Sequence, residues 1–430
     1  MGEEPSPEVS PPLIDKPETS GEKRVSPHSA DGQLPPHRAE GTFVAPAPPS
    51  VLPPTRHFQQ LIVNTVNFII PSGYSTQPED VRYLGGGAYG NVIKTKAMCK
   101  DGVERYVAIK KLKEPFLDPL QCRRIYREIR LLQLMKHDNI IKAIDIYTPD
   151  SIEHKFKDVY VVTEYAGDSL FKILRDQTEH GVKIIQPEHV QFIIYQILRA
   201  LKYIHSANII HRDLKPGNLA LTKDSDLTVL DFGLARSLEP RSPTLTQYVM
   251  TRWYRSPEVI YWNITNYDIQ ADIWSVGCIA AELMTGRPLF PGEDANSQYD
   301  MITRLCGSPD EELMQKIEEK NSYAMRMVIE SFAKYRRRNF RDYFSFCTND
   351  AKFLDFIDKI LVLDPERRMT VGEALAHPYM TEYYLPEDEP VTSQPFNLDE
   401  PIEHTLAQWK GIIWREIHSF QGDEKSPKIL

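Results

Sequence analysis

The sequence has few cysteines, no basic excess and no long apolar run. Its five cysteines among 430 residues form no CxxC pair, which indicates structural thiols in a reducing compartment and argues against a disulfide framework or a thiolate metal cluster. The net charge of −9 argues against general nucleic-acid binding, which needs a basic face. No run of about 18 apolar residues occurs, and the first residues are acidic without an apolar core, so we expect neither a membrane span nor a secretory signal.

Composition changes sharply along the chain. Residues 1–57 hold 13 of the 33 prolines and few aromatic residues, so they cannot bury enough apolar surface to offset the entropy of ordering. We therefore predict that this segment is disordered. Beyond it, β-branched and alternating patterns predict strands at Tyr83–Lys96 and Tyr106–Lys111, and apolar residues at helical spacing predict a helix at Pro119–Met135.

Helical patterns dominate after Asp168, so the sequence predicts an α+β chain in which a small β-rich lobe precedes a larger helical lobe. Trp409 and Trp414 lie at helical spacing near the C-terminus, and we interpret them as packing residues of a segment that crosses the core. The predicted parts are a disordered extension at 1–57, a small lobe at 58–166, a large lobe at 167–380 and a C-terminal extension at 381–430.

A glycine-rich segment at 85–92 fits the pattern GxGxxGxV. Glycines let a backbone approach phosphate groups without clashes from Cβ, although the pattern alone also fits a simple turn. Lys110 ends the following strand, and Glu128 lies in the next predicted helix, which favours a lysine held against nucleotide phosphates by an ion pair. The alternative is a solvated helix acid. The candidate nucleotide-binding residues here are Gly85, Gly87, Ala88, Tyr89, Gly90, Val92, Lys110 and Glu128.

The segment HRDLKPGN, residues 211–218, and the later DFG carry further charged side chains. Asp213 is the candidate base or orienter of an attacking hydroxyl, and Lys215 would lie near the transferred phosphate. Asn218 and Asp231 offer oxygen ligands of the kind that Mg²⁺ prefers. Phosphoryl transfer depends mostly on positioning and charge neutralisation, and two lysines with two metal ligands supply both. We interpret His211 as a buried structural residue.

These blocks strongly resemble the eukaryotic protein kinase family over roughly residues 74–380. The resemblance implies the bilobal kinase fold, with ATP and Mg²⁺ as cofactors. It also implies that Thr251 bridges Asp213 and Lys215 as a catalytic residue and that Asp272 braces the catalytic loop, residues 211–218. An ion pair between Glu258 and Arg368 is implied as well. The implied residues of the adenine site are the gatekeeper Thr163 and the hinge residues Glu164 and Ala166.

Thr246 and Tyr248 follow the DFG segment and are separated by a single residue, Gln247. They can be two exposed hydroxyls or a phosphorylation switch. Nearby arginines favour the switch, because a phosphate adds about −1.5 to −2 charges and can bond to several guanidinium groups. The candidate phosphate-receiving residues are Arg124, Arg127, Arg212, Arg236, Arg252 and Arg255.

The order TxY, then VMTRWYRSPE, resembles the mitogen-activated protein (MAP) kinases, and DVYVVTEYAG at 158–167 is most similar to their stress-activated subgroup. The resemblance implies a serine/threonine kinase that acts on Ser or Thr followed by Pro and that is activated by phosphorylation of both Thr246 and Tyr248. It implies an upstream dual-specificity MAP kinase kinase, dual-specificity phosphatases and docking-motif peptides as partners, and residence in cytoplasm and nucleus.

Several positions depart from that subgroup. Gln247 stands where the subgroups have Gly, Glu or Pro. In the acidic docking region Leu385 replaces an acid, and Lys223 reverses one charge of a second acidic pair. Glu387, Asp388 and Asp224 remain the predicted docking acids, and a solvated acidic loop is the alternative.

Two other functions fit parts of the sequence. A kinase-fold docking scaffold with little turnover would be expected to lack one of the catalytic side chains, and none is missing. Nucleic-acid binding would depend on the single basic run at 334–338, which a solvated basic face or a phosphate-binding pocket explains more simply.

Overall fold

The computed structural model describes residues 56–87, 89–237, 252–262, 268–398, 400, 404–422 and 426–427. They belong to one contact unit, Pro53–Leu430. The predicted disordered segment therefore lies outside the described residues except at its last two positions. Among the residues described, no helix is long and apolar enough to cross a membrane.

The small lobe consists mainly of antiparallel strands. Its central sheet has the order β3-β4-β5-β7-β6, and a separate hairpin, β1-β2, precedes it. The elements of this lobe are β1 (Phe58–Val63), β2 (Val66–Pro71), β3 (Arg82–Gly87), β4 (Gly90–Met98), β5 (Glu104–Leu112), α1 (Pro119–Leu134), β6 (Ala143–Tyr147) and β7 (Tyr160–Glu164).

Strand β5 shows how this sheet separates its core from the functional cleft. Successive side chains of a strand point to opposite faces, so Val107 and Ile109 are buried in a cluster with Phe68 of β2. Ala108 and Lys110, on the other face, line a cleft. The hairpin β1-β2 therefore covers the outer face of the sheet, whereas the inner face is left for the site.

The large lobe is mostly helical. Two long helices, α3 and α5, are buried along most of their length and form its centre. The elements are β8 (Asp168–Ser169), α2 (Leu170–His180), α3 (Pro187–Ser206), β9 (Ile209–Ile210), β10 (Leu219–Leu221), β11 (Leu227–Val229), β12 (Arg236–Ser237), α4 (Pro257–Ile260), α5 (Gln270–Thr285), α6 (Ala295–Cys306), α7 (Glu311–Lys320), α8 (Tyr323–Glu330), α9 (Phe340–Phe344), α10 (Ala351–Ile360) and α11 (Val371–Leu375).

A last helix, α12 (Leu406–Ser419), packs against α1 of the small lobe. Trp409 is buried, and its ring centroid lies 5.6 Å from that of Tyr126 on α1. Trp414 lies edge-on to Phe156 at 5.2 Å. Both tryptophans therefore contribute to packing, as the sequence predicts.

The predicted α+β fold, with a β-rich small lobe and a helical large lobe, is confirmed. Helix α1 matches its predicted range to within one residue because Asp118 caps its first turn, Pro119 occupies the first position, and Cys122, Ile125 and Ile129 form one buried stripe.

Candidate active site

A cleft of about 490 Å³ lies between the sheet of the small lobe and the first elements of the large lobe. This volume falls within the usual range of small-molecule sites, roughly 300–1,000 Å³. Ala88 lies outside the described residues. All the other predicted nucleotide-binding residues line this cleft: Gly85, Gly87, Tyr89, Gly90, Val92, Lys110, Glu128, Thr163, Glu164 and Ala166.

The glycine-rich segment forms the turn between β3 and β4. A Cβ atom added to Gly85 or Gly87 would meet no protein atom within 4 Å, so both positions border open space. Gly86 differs, because a Cβ there would lie 2.3 Å from the hydroxyl of Tyr83, which donates to Asn91 Oδ1 at 2.8 Å. The motif pattern treats this position as variable, so sequence reasoning missed its packing role.

Lys110 of the small lobe forms ion pairs with one carboxylate of each lobe. Its Nζ lies 2.6 Å from Glu128 Oε1 and 3.5 Å from Asp231 Oδ1, which confirms the predicted ion pair with α1. Burial opposes the charge of Lys110, but the carboxylates of Asp231 and Glu128 outweigh it and raise the pKa of the lysine. Lys110 is therefore a fixed cation at the back of the cleft.

The catalytic-loop residues Asp213, Lys215 and Asn218 form one hydrogen-bonded group. Lys215 Nζ lies 2.7 Å from Asp213 Oδ2, and Asn218 Nδ2 donates to the same oxygen at 2.8 Å. Asn218 also donates to the backbone carbonyl of Asp213 at 2.8 Å. The amide nitrogen of Asn218 thus orients Asp213, and its amide oxygen is the atom suited to a cation.

Asp231 is the acidic residue of the DFG segment and lines the cleft. Its backbone is left-handed, with φ of 57°, and Gly233 N–H donates to Asp231 Oδ1 at 3.1 Å. Burial would raise the pKa of this carboxyl, but Lys110 and the Gly233 N–H outweigh that effect and lower it. This shift favours the carboxylate form of Asp231, which is the form that binds Mg²⁺.

A buried layer beneath the catalytic loop holds it in place. Asp272 on α5 accepts hydrogen bonds from the backbone N–H groups of His211 and Arg212, both at 2.9 Å. His211 is fully buried, and its ring lies edge-on to that of Phe232 at 5.2 Å. Arg212 has a left-handed φ of 69°, so these bonds hold a backbone conformation that few side chains favour. The predicted bracing by Asp272 is confirmed.

The ion pair expected between Glu258 and Arg368 is also present. The guanidinium of Arg368 donates to both carboxylate oxygens, at 2.8 and 3.1 Å, and its side chain is fully buried. It donates further to the carbonyl of Gln270, the first residue of α5, at 2.6 Å. This pair connects α4, which carries Glu258, to the start of α5 at the centre of the large lobe.

Residues 79–380 match the family described as protein kinase domain. Mitogen-activated protein kinase pmk-3 of Caenorhabditis elegans is 60% identical over 88% of this chain and 79% of its own length. The chain belongs to the MAP kinase family. Mitogen-activated protein kinase 14 of Xenopus laevis is 42% identical over 84% of this chain and 94% of its own length. Mitogen-activated protein kinase p38b of Drosophila melanogaster is 42% identical over 87% of this chain and 97% of its own length.

This MAP kinase is a serine/threonine protein kinase, and the predicted family and enzyme class are confirmed. Its two predicted switch residues, Thr246 and Tyr248, lie outside the described residues, as does Thr251. The arginines predicted to receive phosphate do lie within them.

Arg236 lies close enough to Arg127 and Arg212 for their positive charges to change its pKa. Burial and these two neighbouring charges lower the pKa of Arg236 to about 9. Arg127 also binds a carboxylate that the sequence does not mark, that of Glu400, 273 residues away along the chain. Of the other predicted arginines, Arg124 is buried, and Arg252 and Arg255 are half-buried.

The predicted docking acids of this MAP kinase differ in their surroundings. Glu387 is exposed, and Asp388 Oδ1 lies 3.1 Å from Arg199 Nη2 on α3. The neighbouring Glu389 is buried and lies 2.8 Å from Lys202. Glu387 and Asp388 therefore face solvent, whereas Glu389 anchors the segment to α3.

Asp224, the third docking acid, is exposed in the turn between β10 and β11. The next residue, Ser225, accepts from Gln196 Nε2 through its carbonyl at 2.9 Å. Gln196 accepts from Asn139 Nδ2 at 3.0 Å, and Asn139 accepts from Arg199 Nη1 at 2.9 Å. Arg199 also binds Asp388. A series of hydrogen bonds through Gln196 and Asn139 therefore connects the turn that carries Asp224 with Asp388.

Proposed function

We propose that this MAP kinase transfers the γ-phosphoryl group of ATP to Ser or Thr followed by Pro in protein substrates, as part of a stress-signalling cascade. The observation that carries the proposal is the arrangement of Lys110 between Glu128 and Asp231 beside the cleft. A scaffold without turnover would not need a buried lysine held by two carboxylates.

The cleft fits a magnesium nucleotide. Gly85 and Gly87 leave open space where phosphates would lie, and Lys110 is a cation at the back of that space. Asp231 and the amide oxygen of Asn218 are the hard oxygen ligands that would hold the metal ion. When bound, Mg²⁺ neutralises charge on the phosphates and the transferred group.

The residues of the chain itself supply positioning and proton transfer. Asp213 orients the substrate hydroxyl and accepts its proton at the carboxylate. Asn218 and Lys215 fix the rotation of that carboxylate, since both donate to Asp213 Oδ2. Lys215 also adds positive charge beside the transferred group, and Thr251 is proposed to bridge it and Asp213.

Activity is proposed to require phosphorylation of both Thr246 and Tyr248 by an upstream dual-specificity MAP kinase kinase, with dual-specificity phosphatases reversing it. The support is the supply of arginines around Arg236, since the charges of Arg127 and Arg212 add to burial in lowering the pKa of Arg236. Docking-motif peptides are proposed to bind at Glu387, Asp388 and Asp224, and the protein is proposed to act in cytoplasm and nucleus.

A paired-peptide assay tests the substrate class. After treatment with an upstream MAP kinase kinase, phosphate transfer to a Ser-Pro peptide should exceed transfer to the matched Ser-Ala peptide by at least about tenfold. The Thr246→Ala and Tyr248→Phe variant should lose most of this activity. Equal use of both peptides would contradict the Pro-directed specificity, and full activity of the variant would contradict the switch.

A further inference from the structure

Strand β3 forms an edge of the central sheet and ends in three successive glycines. Among the described residues it pairs with β4 alone, as the first strand in the order β3-β4-β5-β7-β6. Gly85, Gly86 and Gly87 have no side chains to pack, and glycine inside a strand weakens the pairing and leaves its register poorly specified. The register also shifts between Tyr83 and Gly85. Backbone pairing therefore gives this segment little restraint.

A hydrogen bond between two side chains spans the same hairpin. Tyr83 of β3 donates from its hydroxyl to Asn91 Oδ1 of β4 at 2.8 Å. Asn91 lies directly opposite Gly86 in the register of the two strands. A Cβ atom added to Gly86 would lie 2.3 Å from the Tyr83 hydroxyl and 2.5 Å from Asn91 Oδ1. The bonded pair therefore fills the space that a side chain at Gly86 would need, and the bond requires glycine there.

Both partners of this bond are held by the rest of the small lobe. The Tyr83 ring packs against the buried cluster that contains Ile109 of β5. Asn91 pairs with Lys111 of β5, the residue after Lys110. The Tyr83–Asn91 bond therefore connects the glycine-rich turn to the core of the small lobe and to the strand that carries Lys110.

We infer that Tyr83 and Asn91 are positioning residues for the nucleotide, because their hydrogen bond holds the glycine-rich turn in its phosphate-binding shape before ATP enters the cleft. The inference rests on the ATP-dependent transfer of the proposed function. Asn91 is not among the described residues that line the cleft, so it acts on the nucleotide through the turn. A loop that is already ordered loses less conformational freedom on binding, so the nucleotide binds more tightly.

The first experiment measures the binding of ADP with Mg²⁺ by titration calorimetry. Loss of one neutral hydrogen bond should raise the dissociation constant about fivefold in Tyr83→Phe and in Asn91→Ala. The double variant should lose no more than either single variant, because all three lack the same bond. Tyr335→Phe is the matched control, since it removes a tyrosine bond to Asp300 at 3.0 Å in the large lobe, and it should bind as wild type does.

Wild-type affinity in both single variants would overturn the inference, and so would losses that add in the double variant. Wild-type protein that binds no magnesium nucleotide would instead overturn the proposed function. In steady-state assays the KM for ATP should rise about fivefold in Tyr83→Phe while kcat stays within about twofold, since the bond is present before and during transfer. A fall in kcat with an unchanged KM would contradict a role in nucleotide positioning.

The second experiment uses neither nucleotide nor activity. Hydrogen exchange of the protein alone is compared between wild type, Tyr83→Phe and Gly86→Ala. The alanine methyl group separates the bonded pair without removing either polar group, so both variants should lose the bond. Backbone amides at 85–87 and 90–92 should exchange about fivefold faster in both variants, whereas amides of β6 should not change. Unchanged exchange at 85–87 and 90–92 in both variants would overturn the inference and leave the proposed catalysis untouched.

Discussion

At the residue scale, the ion pair with Glu128 fixes the position of the Lys110 side chain. The distance between Lys110 Nζ and Glu128 Oε1 is 2.6 Å. The two residues belong to β5 and α1, so the pair forms only when the strand and the helix pack together. Replacing Glu128 by Gln removes the charge that holds Lys110 while keeping the shape of the side chain. We predict a loss on the order of 10²-fold in kcat/KM, because a misplaced phosphate ligand costs about that much.

The matched control is Glu179→Gln. Glu179 is also a helix acid, but it is exposed and lies 3.5 Å from Arg175 on the surface. Steady-state assays of both variants with a Ser-Pro peptide check the prediction. Similar kcat/KM values for the Glu128 and Glu179 variants would show that the buried ion pair has no catalytic role.

A second residue, Glu282, makes stability depend on pH. Burial raises the pKa of its carboxyl from 4.5 to about 7, although the hydrogen bond from Tyr254 at 2.6 Å opposes the rise. The native state therefore binds this proton more tightly than the unfolded state does. The free energy of unfolding falls as pH rises from about 4.5 to about 7, by up to about 3 kcal/mol from this group.

The Glu282→Gln variant cannot titrate and keeps an acceptor for Tyr254. Its melting temperature should increase relative to that of wild type between pH 5 and 7 and then keep a constant difference above pH 8. Thermal unfolding in a series of buffers measures this difference. A difference that stays the same from pH 5 to 8 would show that Glu282 ionises normally in the native protein.

At the element scale, α12 acts as a support for α1. Trp409 is 2% exposed and packs on Tyr126, so its truncation leaves a cavity between the two helices. We predict that Trp409→Ala lowers the free energy of unfolding by about 3–5 kcal/mol. Leu406→Ala, on the same helix but 38% exposed, should cost about 0.5 kcal/mol or less. Chemical denaturation measures both; equal costs would mean that α12 is not packed on α1.

Elements with local signals were predictable from the sequence. Helix α1 has an Asp cap, a proline at its first position and a regular apolar stripe, and its range follows from those features. The hairpin β1-β2 cannot be identified from the sequence alone, because its six-residue strands are too short to distinguish from other apolar runs. Its packing against the outer face of the central sheet depends on tertiary structure, which the local sequence does not encode.

The same distinction applies to the site. Motifs at fixed spacing identified Lys110, Asp213 and Asp231, because phosphoryl transfer restricts which residue types can serve there. The role of Glu400 cannot be predicted in this way, because its partner Arg123 lies 277 residues away and nothing in the local sequence marks a carboxylate that will meet arginines. Pairing across such a distance is decided by packing of the whole chain.

At the scale of the whole molecule, catalysis depends on two lobes that meet at one cleft. Lys110 comes from the small lobe and Asp231 from the large one. Their charged atoms lie 3.5 Å apart, so the two lobes together form the site. A catalytic kinase and a docking scaffold of the same fold differ in one property, which is transfer of phosphate.

The most direct test therefore measures incorporation of the labelled γ-phosphate of ATP into a Ser-Pro peptide by wild type and by Asp231→Ala, after treatment with an upstream MAP kinase kinase. Asp342→Ala, which removes an exposed acid of α9, is the control. We predict transfer by wild type and by the control, and a fall to at most about 10⁻² of that rate in Asp231→Ala. Equal incorporation in all three proteins would contradict the account.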